Sequence, residues 1–171
     1  MTHHEIIYKL LSLATIHPID EVLNSGADWK GSTMPVATAE WMTDGHLILP
    51  RKDFSEAFPG VDLDDAPDSE TRIEEMVASA KVGGAAELVA VEIGPFGIAD
   101  ALLELAGKTY RVNANKLLLA VYCTRADAIH PWTENGVVHP AKPFILTRSG
   151  EACGLLMGLR PSESDVSGRV V

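Results

Sequence analysis

Apolar residues recur at helical spacing in some stretches of the chain and at strand spacing in others. Over residues 4 to 14, Ile6, Ile7, Leu10, Leu11 and Leu13 fall on one face of a 3.6-residue repeat, which predicts an amphipathic helix. The helix must end by His17-Pro18, since a proline ring disfavours helical backbone at the residue before it. A second short helix is expected over Ile19 to Leu23, stopped at Asn24-Ser25-Gly26, and Gly31 to Ala39 reads as strand or irregular chain. Trp41-Met42-Thr43 and Leu47-Ile48-Leu49 flank Asp44-Gly45, a pair suited to the positive φ of a tight turn. A β-hairpin is predicted there.

Further along, Pro50 to Gly60 has room for a short helix around Phe54 to Phe58. Asp68 or Ser69 is placed to cap a helix reaching about Lys81, with Ile73, Met76, Val77 and Ala80 on its apolar face and Gly83-Gly84 to end it. Leu88 to Ile93 alternates as a half-buried strand. Residues 98 to 105 are rich in Ala and Leu, which favour helix, but the turn Ala106-Gly107-Lys108 leading into Thr109 to Val112 argues for a strand. Asn113 or Asn115 caps a helix over Lys116 to Tyr122. Strands are expected near 126–131, 143–148 and 153–159, the last two joined through Arg148-Ser149-Gly150-Glu151.

Short turns between strands favour antiparallel pairing, so the expected fold class is α+β, antiparallel sheets packed by two to four helices. An exposed edge strand in such a sheet would invite a homo-oligomer. Each half of the chain carries a helix followed by short strands, a weak internal repeat. The expected organisation is an N-terminal helix-and-hairpin unit at 1–60, an acidic loop or linker at 61–68, a C-terminal unit at 69–161 and a polar tail at 162–171.

Composition narrows the classes. With 171 residues, 46% of them apolar and 22% charged, the chain can build an ordinary globular core. No apolar run approaches the ~20 residues of a membrane span, and Met1-Thr2-His3-His4-Glu5 lacks the order of a signal peptide, so a cytoplasmic location is expected. The net charge of −10 opposes non-specific nucleic-acid binding, and part of it is concentrated in Asp62-Leu63-Asp64-Asp65-Ala66-Pro67-Asp68. That run reads first as a solvated loop and second as an acidic docking patch or mimic of DNA phosphates.

Catalytic chemistry finds little footing, and no enzyme activity is expected. Cys123, His130 and His139 lack both an activating pattern around the cysteine and zinc-ligand spacing. Cys123 and Cys153, in apolar surroundings, read as buried thiols. Gly83-Gly84 and Gly94-Pro95-Phe96-Gly97 are not followed by the Lys-Ser/Thr of a phosphate loop. Neither metal nor cofactor is expected.

Two separated segments carry a resemblance. One is Met42-Thr43-Asp44-Gly45-His46-Leu47, followed by Ile48-Leu49-Pro50-Arg51-Lys52. The other runs through Tyr110-Arg111-Val112-Asn113 into the Leu-rich helix, then Lys142-Pro143-Phe144-Ile145-Leu146-Thr147, then Gly154-Leu155-Leu156-Met157-Gly158-Leu159-Arg160. The chain thereby resembles the bacterial DNA polymerase sliding clamp, the processivity subunit. In that family a Thr-Asp-Gly-His hairpin and a Met-Pro-Met-Arg tail form opposite walls of a pocket for linear peptide motifs of polymerases and repair proteins.

The resemblance implies clamp-like helix-and-sheet units and a peptide-binding site made by Thr43, His46, Leu47, Leu156, Met157, Leu159 and Arg160. It also implies DNA-facing positions at Lys9, Arg72, Lys81, Lys116 and Arg125, meeting DNA when a ring forms. A Met-walled apolar groove can re-pack around different partners, while His and Arg orient the peptide. This chain lacks the family's Arg between the turn His and Leu, has Gly158 in place of Pro, and is about half a clamp's length. The expected function is therefore a shortened clamp-like protein of a phage or other mobile element, binding peptide motifs of replication proteins as an oligomeric ring. The alternative is an acidic inhibitor or DNA mimic built on Asp62 to Asp68.

Overall fold

The computed structural model describes residues 1–13, 35–93, 99–139 and 141–159. The chain opens on α1 (His3–Leu13), where Thr2 and Glu5 cap each other: the Glu5 N–H donates to Thr2 Oγ1 at 3.2 Å and the Thr2 nitrogen donates to the Glu5 carboxylate at 2.6 Å. Then come β1 (Val36–Ala37), β2 (Trp41–Thr43) and β3 (Leu47–Pro50), followed at once by α2 (Arg51–Ala57). β4 (Asp64–Asp65) and a 3₁₀ turn (Pro67–Ser69) lead into α3 (Glu70–Ala78). β5 (Glu87–Ile93), β6 (Ala99–Leu105) and β7 (Lys108–Asn113) run into α4 (Ala114–Thr124). The chain closes through β8 (Ala128–His130), β9 (Thr133–Glu134), β10 (Val137–Val138), β11 (Phe144–Arg148) and β12 (Glu151–Leu156).

These elements make an α+β fold. Seven strands form one sheet in the order β4-β1-β2-β3-β12-β11-β8, and three form another in the order β5-β6-β7. β9 and β10 make a separate hairpin. Every pairing is antiparallel except β1 with β4. The large sheet draws β1 to β4 from the first half of the chain and β8, β11 and β12 from the end, joined where Leu156 faces Leu47 and Leu155 faces Ile48.

α4 is the hub. Leu117, Leu118, Ala120 and Val121 are fully buried, and the helix packs on β3 and β12 of the large sheet, on β6 and β7 of the small one, and on α1 and α2. A helix apolar almost all round belongs inside, between layers, and that is its position here. Strand alternation divides the large sheet: Leu47, Leu49, Leu146 and Leu156 join the core with α4, whereas Ile48, Ile145 and Leu155 face the other way. That second face is covered by Met76, Val77 and Ala80 of α3 and its exit, beside Trp132. The large sheet thus carries helices on both sides.

Several expectations need correcting. Ser69 does occupy the N-cap position of α3, but its side chain makes no capping bond, because the preceding 3₁₀ turn already sets the entry. α3 stops at Ala78 rather than Lys81, before Gly83-Gly84 is reached. The acidic run is not only loop: Asp64 and Asp65 pair with Val36 and Ala37 as the outer strand of the large sheet. Ala128–His130 and Glu151–Leu156 are shorter than the strands expected near 126–131 and 153–159. The hairpin of β9 and β10 was not expected, although Asn135-Gly136 at its turn, both with positive φ, is a strong hairpin signal. The helix expected over Ile19 to Leu23, the Gly94 to Gly97 segment and the tail from 162 lie outside the described residues.

The Ala- and Leu-rich stretch is a strand, Ala99–Leu105, turned into β7 through Ala106 and Gly107 at φ 51° and 76°. Asn113 caps α4, its side chain accepting from the Lys116 N–H at 3.0 Å. Both outer edges of the large sheet are blunted. β4 presents two aspartates, and β8 meets residues 82–86 through an Ala86 N–H to Ile129 carbonyl bond of 2.8 Å and a Val82–Trp132 bridge. Among the described strands, β5 at the margin of the small sheet is the longest edge.

Candidate functional site

The β2–β3 turn is built around one carboxylate. Asp44 Oδ1 accepts from the N–H groups of His46 at 2.8 Å and Leu47 at 3.1 Å, while Thr43 Oγ1 accepts from the Gly45 N–H at 3.1 Å. Gly45 supplies φ 89°, a left-handed conformation that a side chain would strain. Asp44 is only 1% exposed, and its other oxygen takes the Lys116 ammonium from the first turn of α4. A lysine there opposes the helix dipole unless an anion meets it, and Asp44 is that anion.

The far end of the chain docks beside this turn. The Met157 N–H donates to the His46 carbonyl at 2.8 Å, continuing the β3–β12 pairing past Leu156. Two residues on, the Leu159 N–H donates to the Arg111 carbonyl at 2.8 Å, and Gly158 bridges to Val112 of β7. The segment after β12 therefore stitches the two sheets together.

A groove of about 370 Å³ opens at this junction. Thr43, His46, Leu47 and Met157 line it, with Ile48 and Leu155 from the paired strands and Pro143 before β11. Its other wall is α3, through Ser69, Arg72, Ile73 and Met76. Those positions recur at i, i+3, i+4 and i+7, one stripe of a helix.

No family model, curated protein or solved structure matches this chain.

Of the residues expected at the peptide site, Thr43, His46, Leu47 and Met157 come together. Leu156 does not line the groove: alternation turns it into the core, fully buried. Leu159 is exposed beyond it beside Arg111, and Arg160 lies outside the described residues. The wall contributed by α3 was missed. Its apolar periodicity was visible, but periodicity gives a face and not the neighbour that the face meets.

The residues expected to face DNA do not form a row of free cations. Lys116 is held by Asp44, Lys9 lies 3.8 Å from Glu87, and Arg72 lines the groove. Lys81 is exposed just past α3, and Arg125 is the left-handed C-cap of α4 at φ 58°.

His130 and the cysteines have structural surroundings. The His130 ring nitrogens lie 2.9 Å from the Gly83 carbonyl and 2.9 Å from the Thr147 hydroxyl, which ties the chain after α3 to the sheet edge. Cys123 and Cys153 are free and buried; burial pushes the Cys123 thiol up to about 12, Asp53 adding to it, and burial raises Cys153 as well. A thiol so held is a poor nucleophile. Among the described residues no group of three His, Cys, Asp or Glu side chains is arranged to hold a metal, and no helix is long and apolar enough to cross a membrane.

Proposed function

We propose that this protein binds linear peptide segments in the groove between the β2–β3 turn, Met157 and α3, as a clamp-like module serving DNA replication proteins. The observation that carries this reading is the convergence of Thr43, His46 and Leu47 with Met157 in one groove, although more than a hundred residues separate them in the chain. Its chemistry suits a short peptide. The half-buried Ile48 and Met76 offer apolar surface to Leu or Phe side chains over a floor of Ile73 and Leu155, Met157 adapts to their shape, and His46 stands at the rim. The reading extends to an assembly in which β5 supplies the edge for association.

Calorimetric titration with a Gln-Leu-x-Leu-Phe peptide tests the proposal. Binding on the micromolar scale is expected, as for a flexible segment that loses entropy on docking. Met157 is 39% exposed, so Met157→Asp leaves the fold intact while placing an unpaired charge against the docked apolar side chains. Its thermal midpoint should stay within about 2 °C of the parent while peptide binding weakens at least about tenfold. No heat with the parent protein at millimolar peptide refutes the reading.

A further inference from the structure

We infer that Asn135 is a site of spontaneous deamidation, and that its isoaspartyl product undoes the β9–β10 hairpin while its aspartyl product leaves it standing. The inference is independent of the peptide-binding reading. Asn135 and Gly136 form the two-residue turn between Thr133–Glu134 and Val137–Val138, and both are exposed. A Cβ placed on Gly136 would meet no atom within 4 Å, so the turn is open on that side. Among the described residues no hydrogen bond holds the Asn135 side chain or the Gly136 N–H. Asn113 is the contrast: its side chain accepts from the Lys116 N–H at 3.0 Å, and the next residue, Ala114, is fully buried.

The chemistry needs only water. The Gly136 backbone nitrogen, giving up its proton to solvent, attacks Asn135 Cγ; the Cγ–Nδ2 bond breaks, ammonia leaves and a cyclic succinimide remains. Glycine has no Cβ to hinder that attack. Ring closure requires the main chain to leave the turn conformation. A two-stranded ribbon is marginal by itself, and β9 with β10 is a separate hairpin, so it opens locally while the larger sheets stay intact. Water then opens the ring at either carbonyl. Opening at Cγ gives aspartate, and Asp-Gly suits the same turn as Asn-Gly, whose φ values here are 51° and 76°. Opening at the main-chain carbonyl gives isoaspartate, which routes the backbone through Cβ and Cγ and lengthens the turn by one methylene. Loop length sets a hairpin's register, so the Glu134–Val137 and Thr133–Val138 pairs lose their alignment. The His139 N–H to Trp132 carbonyl bond of 2.7 Å, next along the ribbon, goes with them.

The test holds the full chain at pH 8 for weeks and maps its peptides by mass spectrometry. The Asn135 peptide should show the mass gain of an amide becoming an acid at least about tenfold faster than the peptide holding Asn113 and Asn115. An isoaspartyl methyltransferase should label part of the product. The isoaspartyl form, separated by ion exchange, is then compared with the Asn135→Asp variant by amide hydrogen exchange. The His139 amide should exchange about tenfold faster or more in the isoaspartyl form and at close to the parent's rate in Asn135→Asp. A mass gain at Asn135 no faster than at Asn113 and Asn115 overturns the site. A product without isoaspartate, an isoaspartyl form with the parent's exchange rate, or equal loosening in Asn135→Asp overturns the consequence for the hairpin.

Discussion

Replacing Lys116 by Met isolates the ion pair under the hairpin. The substitution keeps the aliphatic stem and removes the ammonium that meets Asp44. Asp44 is 1% exposed, so water reaches its carboxylate only if the turn opens. Removing one partner of a fully buried pair costs about 3–5 kcal/mol, since the remaining charge stays desolvated. Two features reduce the figure here: Asp44 keeps its bonds from His46 and Leu47, and the Lys116 side chain is 22% exposed. An expected loss of about 2–3 kcal/mol follows, or about 5–10 °C in Tm for a chain of this size.

The reverse deletion, Asp44→Asn, should cost less, about 1–2 kcal/mol. An amide oxygen still accepts from both turn N–H groups, and the Lys116 ammonium can swing towards water. The double variant should therefore be more stable than the sum of the single losses predicts, by at least about 1 kcal/mol. Urea denaturation followed by circular dichroism, across the four members of this cycle, measures both quantities. A Lys116→Met variant within about 0.5 kcal/mol of the parent, or a coupling indistinguishable from zero, would show that the pair does not hold the turn against α4.

Other expectations concern packing, titration and charge. A Cβ at Gly83 would sit 2.5 Å from Thr133 Oγ1 and 2.7 Å from Thr133 Cβ, so Gly83→Ala should destabilise by about 1–3 kcal/mol, with partial rescue by Thr133→Ala in the same denaturation assay; no loss would refute the close approach. The raised Cys123 thiol binds its proton more tightly in the folded state, so its contribution to stability is complete below the ordinary value of 9 and is lost as pH rises from there towards about 12. Correspondingly, Ellman's reagent at pH 8 should modify both cysteines only on unfolding in urea, and rapid reaction of the native protein would contradict their burial. With a net charge of −10 and Lys9 and Lys116 in ion pairs, fluorescence anisotropy should show no duplex DNA binding at physiological salt; a tight, steeply salt-dependent complex would overturn that.

Local signals in the chain were readable where local chemistry decides the structure. Asp44-Gly45 specifies its turn through an aspartate that accepts two backbone N–H groups and a glycine that tolerates φ 89°, all within four residues. Asn113 capping α4 is equally local. The Ala99–Leu105 strand runs against intrinsic helix propensity, and only the neighbouring turn revealed it, since pairing on both sides outweighs the preference. Alternation in β12 could have told Leu156 from Met157, because consecutive strand residues face opposite ways, but not without knowing which face meets α4. The groove's α3 wall and the role of Lys116 were not legible, because both depend on long-range docking: Met76 and Val77 against a sheet that joins strands from the first half of the chain to its last ones, Lys116 against a turn 72 residues earlier.

The junction of His46 with Met157 also sets an order in time. The turn that forms one wall of the groove is synthesised early, and the residue that faces it is synthesised more than a hundred residues later. Domains emerge from the ribosome N-terminus first, and pairings this distant in sequence close slowly because a long loop must be ordered before the contact repays it. A nascent chain exposing Thr43 to Leu47 has no Met157 wall, so it presents half a site. The groove between the turn, Met157 and α3 is therefore complete only once the large sheet has closed.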